Sequence, residues 1–477
     1  MKSKLWIAAR GIPLNKDLRY PLTPEVMRLL GDVYEYTAIL RNYDEMEESF
    51  SCLLGNLSNA DVLNQPIIYS RSPNDYVIER KRYGYDWYRY VLVVRLVDGL
   101  YAMGLVQGVK GRQVANGKNK PSKIWATDAL LARFKLLGGA VFIKRTDEVI
   151  FLKDADKRLR DYHDNRMTSR MRTQLLELNG MLSSLDIAFR FTYAQLSARP
   201  KARITKLMKI RSMVNTGQIR VEPHQAITTS DYEREKHIAI HYTKYYTLFD
   251  HDAFLSNVIG KLEFNGAINS EVNFMRRIFN VDWQHGGRFY QAPHITIPSA
   301  CRESMFINGE PTVELDYSGL HIRMLYNRIG IDYRDECYVY PKADQENKPD
   351  RDRIKLASLI VINSKDRREA IRALHNQCRK KGIHYPAGQF RLYSALVDRF
   401  AGYHAPISHF LFTGQGLELQ HLDSTIMANI LSRMTSENIP ALPVHDSVIC
   451  PAWHEGFLRQ VMVEEYHKVM GFEPVIG

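Results

Sequence analysis

Apolar and polar positions change rhythm several times along the chain, and each change predicts an element. From Trp87 to Met103 the apolar residues recur at helical spacing and stop at Gly104, the mark of a helix with a glycine end. A strand, turn and strand pattern follows around Asn116-Gly117, a dipeptide suited to a tight hairpin, and a short helical pattern starts at Thr127. Helix, hairpin and helix in that order suggest a winged-helix-like α/β module within residues 1–150. Residues 151–276 read as a second region, helical from Asp154 to Asn215. In residues 277–477, Thr312 to Ser318 reads as a strand ending in Asp316, and Gly319 to Asn327 as a helix stopped at Gly330. Arg351 to Asn363 is helical, and Ala441 to Cys450 is two apolar arms around His445-Asp446, a hairpin with a polar tip. Without internal repeats or low-complexity linkers, these boundaries rest on pattern and charge alone.

Composition narrows the class. A chain of 477 residues with 45% hydrophobic and 25% charged residues has the make-up of a folded protein of about two to four domains, not of a disordered one. No apolar run approaches the roughly 18 residues of a membrane span, and the stretch Leu5 to Ala9 is cut by Arg10 before it resembles a secretion signal. The expectation is a cytoplasmic protein, associated with the nucleoid or a replicon, with no membrane partner. Five scattered cysteines without a CxxC pair suggest reduced, buried thiols and neither a disulfide framework nor a zinc site.

Charge points to a polyanion. Lys plus Arg number 65 against 53 Asp plus Glu, a formal net charge of +12, although charge alone does not separate nucleic acid from acidic lipid or protein. Its placement is more telling. Lys110, Arg112, Lys118, Lys120 and Lys123 occur with no acid between Val109 and Trp125, as on a hairpin lying against phosphates. Arg199, Lys201, Arg203, Lys206, Lys209 and Arg211 form a second block without an acid, suited to gripping a phosphate backbone. Solvated basic faces give the same pattern.

Asp316 at a strand end and Asp446 at a hairpin tip converge if their strands share a sheet, and two such carboxylates hold two Mg²⁺ ions about 3.5–4 Å apart for in-line phosphoryl transfer. Either aspartate alone is more often a turn former or helix cap. The helix from Arg351 adds weight, since Arg351, Lys355, Leu359 and Asn363 follow at i, i+4 steps along one face. Two cations suit a triphosphate and a flat apolar surface suits a base; an amphipathic helix with a basic start is the ordinary alternative.

In this order the motifs resemble the polymerase domain of family A DNA polymerases, the bacterial DNA polymerase I type, and the related phage-type single-subunit RNA polymerases. DYSGLHIR from Asp316 resembles motif A (312–326), Arg351 with Lys355 the RxxxK of motif B (351–363), and VHDSVI from Val444 motif C (441–450). Gly287-Arg288, Ile297-Pro298 and Arg302 resemble the stretch that precedes motif A, while Leu419-Gln420 and Asp423-Ser424 resemble the helix before motif C in the RNA enzymes. The resemblance covers the chain from about Arg277, roughly two-fifths of its length.

The resemblance implies an α+β, right-hand fold of palm, fingers and thumb behind the winged-helix-like domain. Asp316, Asp446 and the backbone carbonyl of Tyr317 would bind two Mg²⁺, with Mn²⁺ as a substitute. Arg351 and Lys355 would bind the incoming triphosphate, Lys355 serving also as proton donor to the leaving pyrophosphate, and Leu359 and Asn363 would line the nucleotide site. Arg288, Arg302 and Gln420 would contact nucleic acid, His445 would lie near the primer end, and the basic helices carrying Arg203, Lys206 and Lys209 would be the thumb. Partners would be a DNA template, with or without a primer, and dNTPs or NTPs.

Two departures bear on sugar choice. His321 stands where the DNA enzymes carry a Glu that blocks the ribose 2′-OH, and Leu359 and Asn363 replace the motif B aromatics. Ser447 matches the RNA branch, whereas DYS and Arg323 match the DNA branch, so the balance tips only slightly to DNA synthesis over an RNA polymerase or primase. No carboxylate series for a proofreading exonuclease precedes Arg277, and the compact plan suits plasmid or phage replication. Two other classes stay open: a DNA-binding replication initiator that has lost catalysis, and a two-metal nuclease, which has no use for the RxxxK helix.

Overall fold

Both apolar rhythms are realised as mixed α/β structure in the computed structural model, which describes residues 11–37, 43–113, 119–137, 140–197, 200–223, 263–338, 348–381 and 390–477. The chain divides into two units, one of Met1–Phe151, Arg158–Arg276 and Gln291–Thr312, the other of Leu152–Lys157, Arg277–Tyr290 and Val313–Gly477.

In the first unit, helices α1 (Pro24–Thr37) and α2 (Tyr43–Val62) pack on α3 (Tyr90–Ala102), burying Leu30, Leu53, Leu57 and Leu96. Gly99 permits the close approach of α1 and α3, because a Cβ there would lie 2.9 Å from both Val33 and Thr37. Strands β1 (Ile12–Pro13), β2 (Ile67–Tyr69), β3 (Val106–Val109) and β4 (Ser122–Ala126) form a sheet in the order β1-β2-β4-β3, with β2 and β3 both antiparallel to β4. Thr127 then starts α4 (Asp128–Leu137), its hydroxyl accepting the Leu130 N–H at 3.4 Å as an N-cap does. Short paired strands Arg112–Gln113 and Asn119–Lys120 flank the hairpin tip; Asn116, Gly117 and Lys118 lie outside the described residues.

Asp154 to Asn215 is not one helical run. Helix α5 (Arg166–Ser184) starts at a reciprocal cap, in which Asn165 accepts the Thr168 N–H at 3.0 Å and Thr168 accepts the Asn165 N–H at 2.9 Å. Strand β5 (Ile187–Thr192) separates it from α6 (Pro200–Asn215). Ile187, Phe189 and Phe191 alternate with Ala188, Arg190 and Thr192, a period of two that makes a strand and buries the first set. Strands β6 (Ile219–Pro223), β7 (Glu263–Ile268) and β8 (Met305–Ile307) complete an antiparallel sheet in the order β6-β7-β5-β8.

The second unit is built on the end of β9 (Glu310–Asp316) and the hairpin β10 (Leu442–Val444) and β11 (Ser447–Pro451), in the order β9-β11-β10. Helix α7 (Leu320–Arg328) follows β9. Helices α8 (Lys348–Asn363), α9 (Arg367–Lys381) and α10 (Phe390–Tyr403) pack on one another around Val361, Leu374, Val397 and Phe400. Helix α11 (Gly416–Ser436) lies against both the Gly286–Tyr290 strand and α12 (Glu455–Met470).

All five cysteines are buried, and none is in a disulfide. Among the described residues no helix is long and apolar enough to cross a membrane; Leu5 to Arg10 lie outside those residues.

Candidate functional site

Strand alternation decides which side chains β9 offers. Leu315 and Tyr317 turn into the core, Tyr317 donating its hydroxyl to the Met462 carbonyl at 2.7 Å, so Glu314 and Asp316 take the open face. The hairpin pairs Val444 with Ser447, leaving His445 and Asp446 as the two turn residues, with His445 in the left-handed region at φ 60. One backbone contact then joins turn and strand end, and two more tie the strand end to Val475 and Gly477. Tyr317 N–H donates to the Asp446 carbonyl at 3.2 Å, and on the other side Gly477 N–H donates to the Asp316 carbonyl at 2.9 Å while Ser318 N–H donates to Val475 at 2.9 Å.

Asp316 and Asp446 are thereby within strong electrostatic reach. Loss of solvation, and then the charge of Asp446, push the Asp316 carboxyl up to about 7, with Glu314 adding to the rise and Lys355 opposing it. Ser447 donates its hydroxyl to Glu314 at 2.6 Å, which ties down the third carboxylate of this face. Among the described residues no group of three or more His, Cys, Asp or Glu is arranged to hold a metal ion by itself. The two aspartates and the Tyr317 carbonyl are hard oxygen donors of the kind Mg²⁺ takes when substrate phosphates complete its shell, and the repulsion between the aspartates, which Lys355 offsets in part, is what a divalent cation relieves.

Helix α8 exposes the face that its spacing predicts: Arg351, Lys355, Leu359 and Asn363 are all exposed, while Ile354, Ala357, Ser358, Val361 and Ile362 are buried. Lys355 is the member of this face whose charge acts on Asp316. Asn363 sits at the far end, donating to the Leu359 carbonyl at 2.7 Å and pressed so close to Gly416 that a Cβ there would be 1.7 Å from its amide oxygen.

Arg288 and His321, expected at the nucleic acid and at the sugar, meet on a third residue. Asp423 of α11 accepts from Arg288 Nε at 3.1 and 3.0 Å through its two oxygens and also from Arg288 Nη2. His321 Nε2 is 2.8 Å from the same carboxylate and 3.3 Å from Arg288 Nη2. The Asp423 side chain is 1% exposed, so its charge is balanced inside the protein. Burial disfavours the Arg288 charge, yet Asp423 holds that guanidinium above its ordinary range. The neighbouring Ser424 donates to the Gly286 carbonyl at 3.0 Å, and Gly287, at φ 87, leaves no room for a Cβ beside Phe279 and Ser424. Two sequence motifs far apart in the chain, Gly287-Arg288 and Asp423-Ser424, thus form one assembly. Gln420 is half-buried one turn before it, and the His445 ring stands 6.2 Å from that of Tyr290, edge to face.

In the first unit the basic residues divide. Lys209 is exposed and Lys206 half-buried on α6, and burial, with the charge of Arg302 second, lowers the Lys209 ammonium, so Lys209 and the sequence-distant Arg302 share one surface. Arg203 turns inward instead. It is 8% exposed, donates to the Ser197 carbonyl at 2.8 Å and lies 5.2 Å from the Tyr193 ring centroid, because its helix position faces the core. Lys110 is exposed and Lys123 half-buried, beside the β3 and β4 pairing. The side chains of Arg112, Lys120 and Lys201, and all of Lys118 and Arg199, lie outside the described residues.

Residues that sequence reasoning missed are Tyr338, Glu314 and Arg277. Glu314 was findable, being two residues before Asp316 on the same strand face. Arg277 is buried, donates to the Gly287 carbonyl at 2.8 Å and is pulled down to about 10 by burial. No local signal marks Tyr338. A scan against protein-family models and a search of curated proteins both return no match to this chain.

Proposed function

We propose that the chain is a template-directed nucleic-acid polymerase, transferring nucleotidyl groups from nucleoside triphosphates on a DNA template. The observation that carries this reading is the pair Asp316 and Asp446 on adjacent strand ends, with the Asp316 carboxyl pushed up to about 7 and the Lys355 charge acting on it from α8. A nuclease needs the pair but not the cationic helix face, and a purely structural pair would be compensated, as Asp423 is.

In this reading Asp316, Asp446 and the Tyr317 carbonyl would hold two Mg²⁺, which would supply charge stabilisation to the attacking and leaving oxygens. Lys355 and Arg351 bind the triphosphate, and Lys355 holds a proton at Nζ for the departing pyrophosphate. His321 is fixed by Asp423 at the motif A position where the sugar is sensed, and Arg288 is fixed beside it. The right-hand architecture belongs to this proposal, and so does the winged-helix reading of the first unit, which is supported by helix α3 preceding a sheet in which β4 lies between β2 and β3.

Incorporation on primed and unprimed DNA templates, with dNTPs or NTPs supplied separately in Mg²⁺ and an Asp446→Ala control, tests it. Primer extension with dNTPs alone defines a DNA polymerase, and NTP products without primer define a primase or RNA polymerase. No incorporation with template binding intact leaves the replication initiator.

A further inference from the structure

Tyr338 belongs to none of the motifs, yet several buried contacts fix its place. Arg323, 6% exposed, donates to the Ser318 carbonyl at 2.8 Å and to Asp335 at 3.0 Å, and it also donates to Tyr333, clamping the loop after α7 to its own start. Cys337 then seats on Gly319, where a Cβ would come within 2.5 Å of its sulfur. Its carbonyl lies 3.2 Å from His404 Nε2; a carbonyl can only accept, so Nε2 carries the hydrogen. Neutral His404 then accepts the Tyr326 hydroxyl at Nδ1, 3.1 Å away. The residue before Tyr338 is therefore held by Gly319 and His404, in a loop that Arg323 clamps.

The half-buried Tyr338 ring lies under both cations of α8. The Arg351 guanidinium is 5.6 Å and the Lys355 ammonium 5.7 Å from its centroid, within the range at which a ring face attracts a cation. Glu336, two residues earlier, pairs with Arg351 at 3.6 Å. Burial, and after it the negative fields of Cys337, Asp446, Glu336 and Asp316, push the Tyr338 phenol up, so the ring lies within electrostatic reach of both carboxylates.

We propose that Tyr338 is a positioning residue of the nucleotide site, a fixed aromatic platform that holds Arg351 and Lys355 over the carboxylate pair before the triphosphate arrives. Long cationic side chains have much rotamer freedom to lose on binding a ligand, and a platform removes part of that loss in advance. This inference rests on the polymerase reading, so its test needs a readout that does not depend on turnover.

The full-length protein is titrated with ATP and with dATP in Mg²⁺, and nucleotide KM and kcat are measured on a primed template, for wild type, Tyr338→Phe, Tyr338→Leu and Lys355→Ala. Thermal unfolding identifies any variant that has lost its fold. Tyr338→Leu is expected to weaken nucleotide binding and raise KM about tenfold, with kcat at saturation and template affinity within about twofold of wild type. Tyr338→Phe, which keeps the ring face, is expected to match wild type. Tyr338→Leu binding as well as wild type, or more tightly, overturns the proposal, and so does a Phe variant as impaired as Leu. If Lys355→Ala weakens binding while Tyr338→Leu does not, only the Tyr338 role falls. A wild-type protein that binds no nucleotide overturns the polymerase reading and this role with it.

Discussion

Two carboxylates of the second unit show opposite solutions to the same problem. Asp423 is 1% exposed and wholly compensated, with Arg288 on both oxygens and His321 on one. Asp316 is more open, yet it faces Asp446, and although Lys355 and the Tyr317 N–H act against the rise its carboxyl is pushed up to about 7. A buried charge with partners holds elements together, and here it joins α7, α11 and the Gly286–Tyr290 strand. A charge pair left without them costs stability and persists where something else is to be bound.

Four measurements test that contrast. The largest effect is catalytic: Asp316→Ala and Asp446→Ala should each lower incorporation by about a thousandfold or more, as loss of a metal ligand at a two-metal centre does, while template affinity stays unchanged. Rates near wild type in either variant remove the pair from chemistry.

Next comes stability. Asp423→Ala leaves the Arg288 guanidinium, 19% exposed, without its partner and should cost about 3 kcal/mol or more in denaturant unfolding. Asp316→Asn should instead stabilise the metal-free protein at pH 7. If both substitutions destabilise alike, the distinction between a compensated and an uncompensated carboxylate fails.

The third measurement is the pH dependence behind that difference. Asp316 stays protonated in the folded protein up to about 7 but ionises near 4 when unfolded, so the folded state binds the extra proton between those values. Metal-free stability should therefore fall as pH rises from about 4 to about 7 by this residue's contribution, and Asp316→Asn should flatten that part of the profile. Mg²⁺ binding should tighten as pH rises through about 7. An unchanged slope in the Asn variant places the proton elsewhere.

The smallest effect belongs to the first unit. Replacing Lys206, Lys209 and Arg302 by Gln should flatten the dependence of DNA affinity on salt by about 0.9 logarithmic units for each phosphate no longer neutralised. An unaltered slope returns this surface to ordinary solvated charge.

Local pattern was enough to write down much of the second unit. Alternation in Thr312 to Ser318 and the two apolar arms of Ala441 to Cys450 specified the strands, i, i+4 spacing specified the exposed face of α8, and Gly330, at φ 78, marked the stop after α7. These follow from geometry within a few residues, which the sequence carries directly. Pattern failed at Ile187–Thr192, where six alternating residues are too few to stand out between two longer helical stretches.

What the charged groups do follows from packing between distant elements. Arg288 and Arg203 look alike in the sequence as free cations, but one is committed to Asp423, 135 positions away, and the other to the core beside Tyr193. Tyr338 has no pattern around it at all; its place comes from Arg323, Gly319 and His404, which the chain brings from both sides. Which carboxylates and cations this protein has, and which elements carry most of them, can be read along the chain. Their compensation depends on distance and solvation, which depend in turn on every element packed around them, and so the folded structure alone separated Asp316 from Asp423.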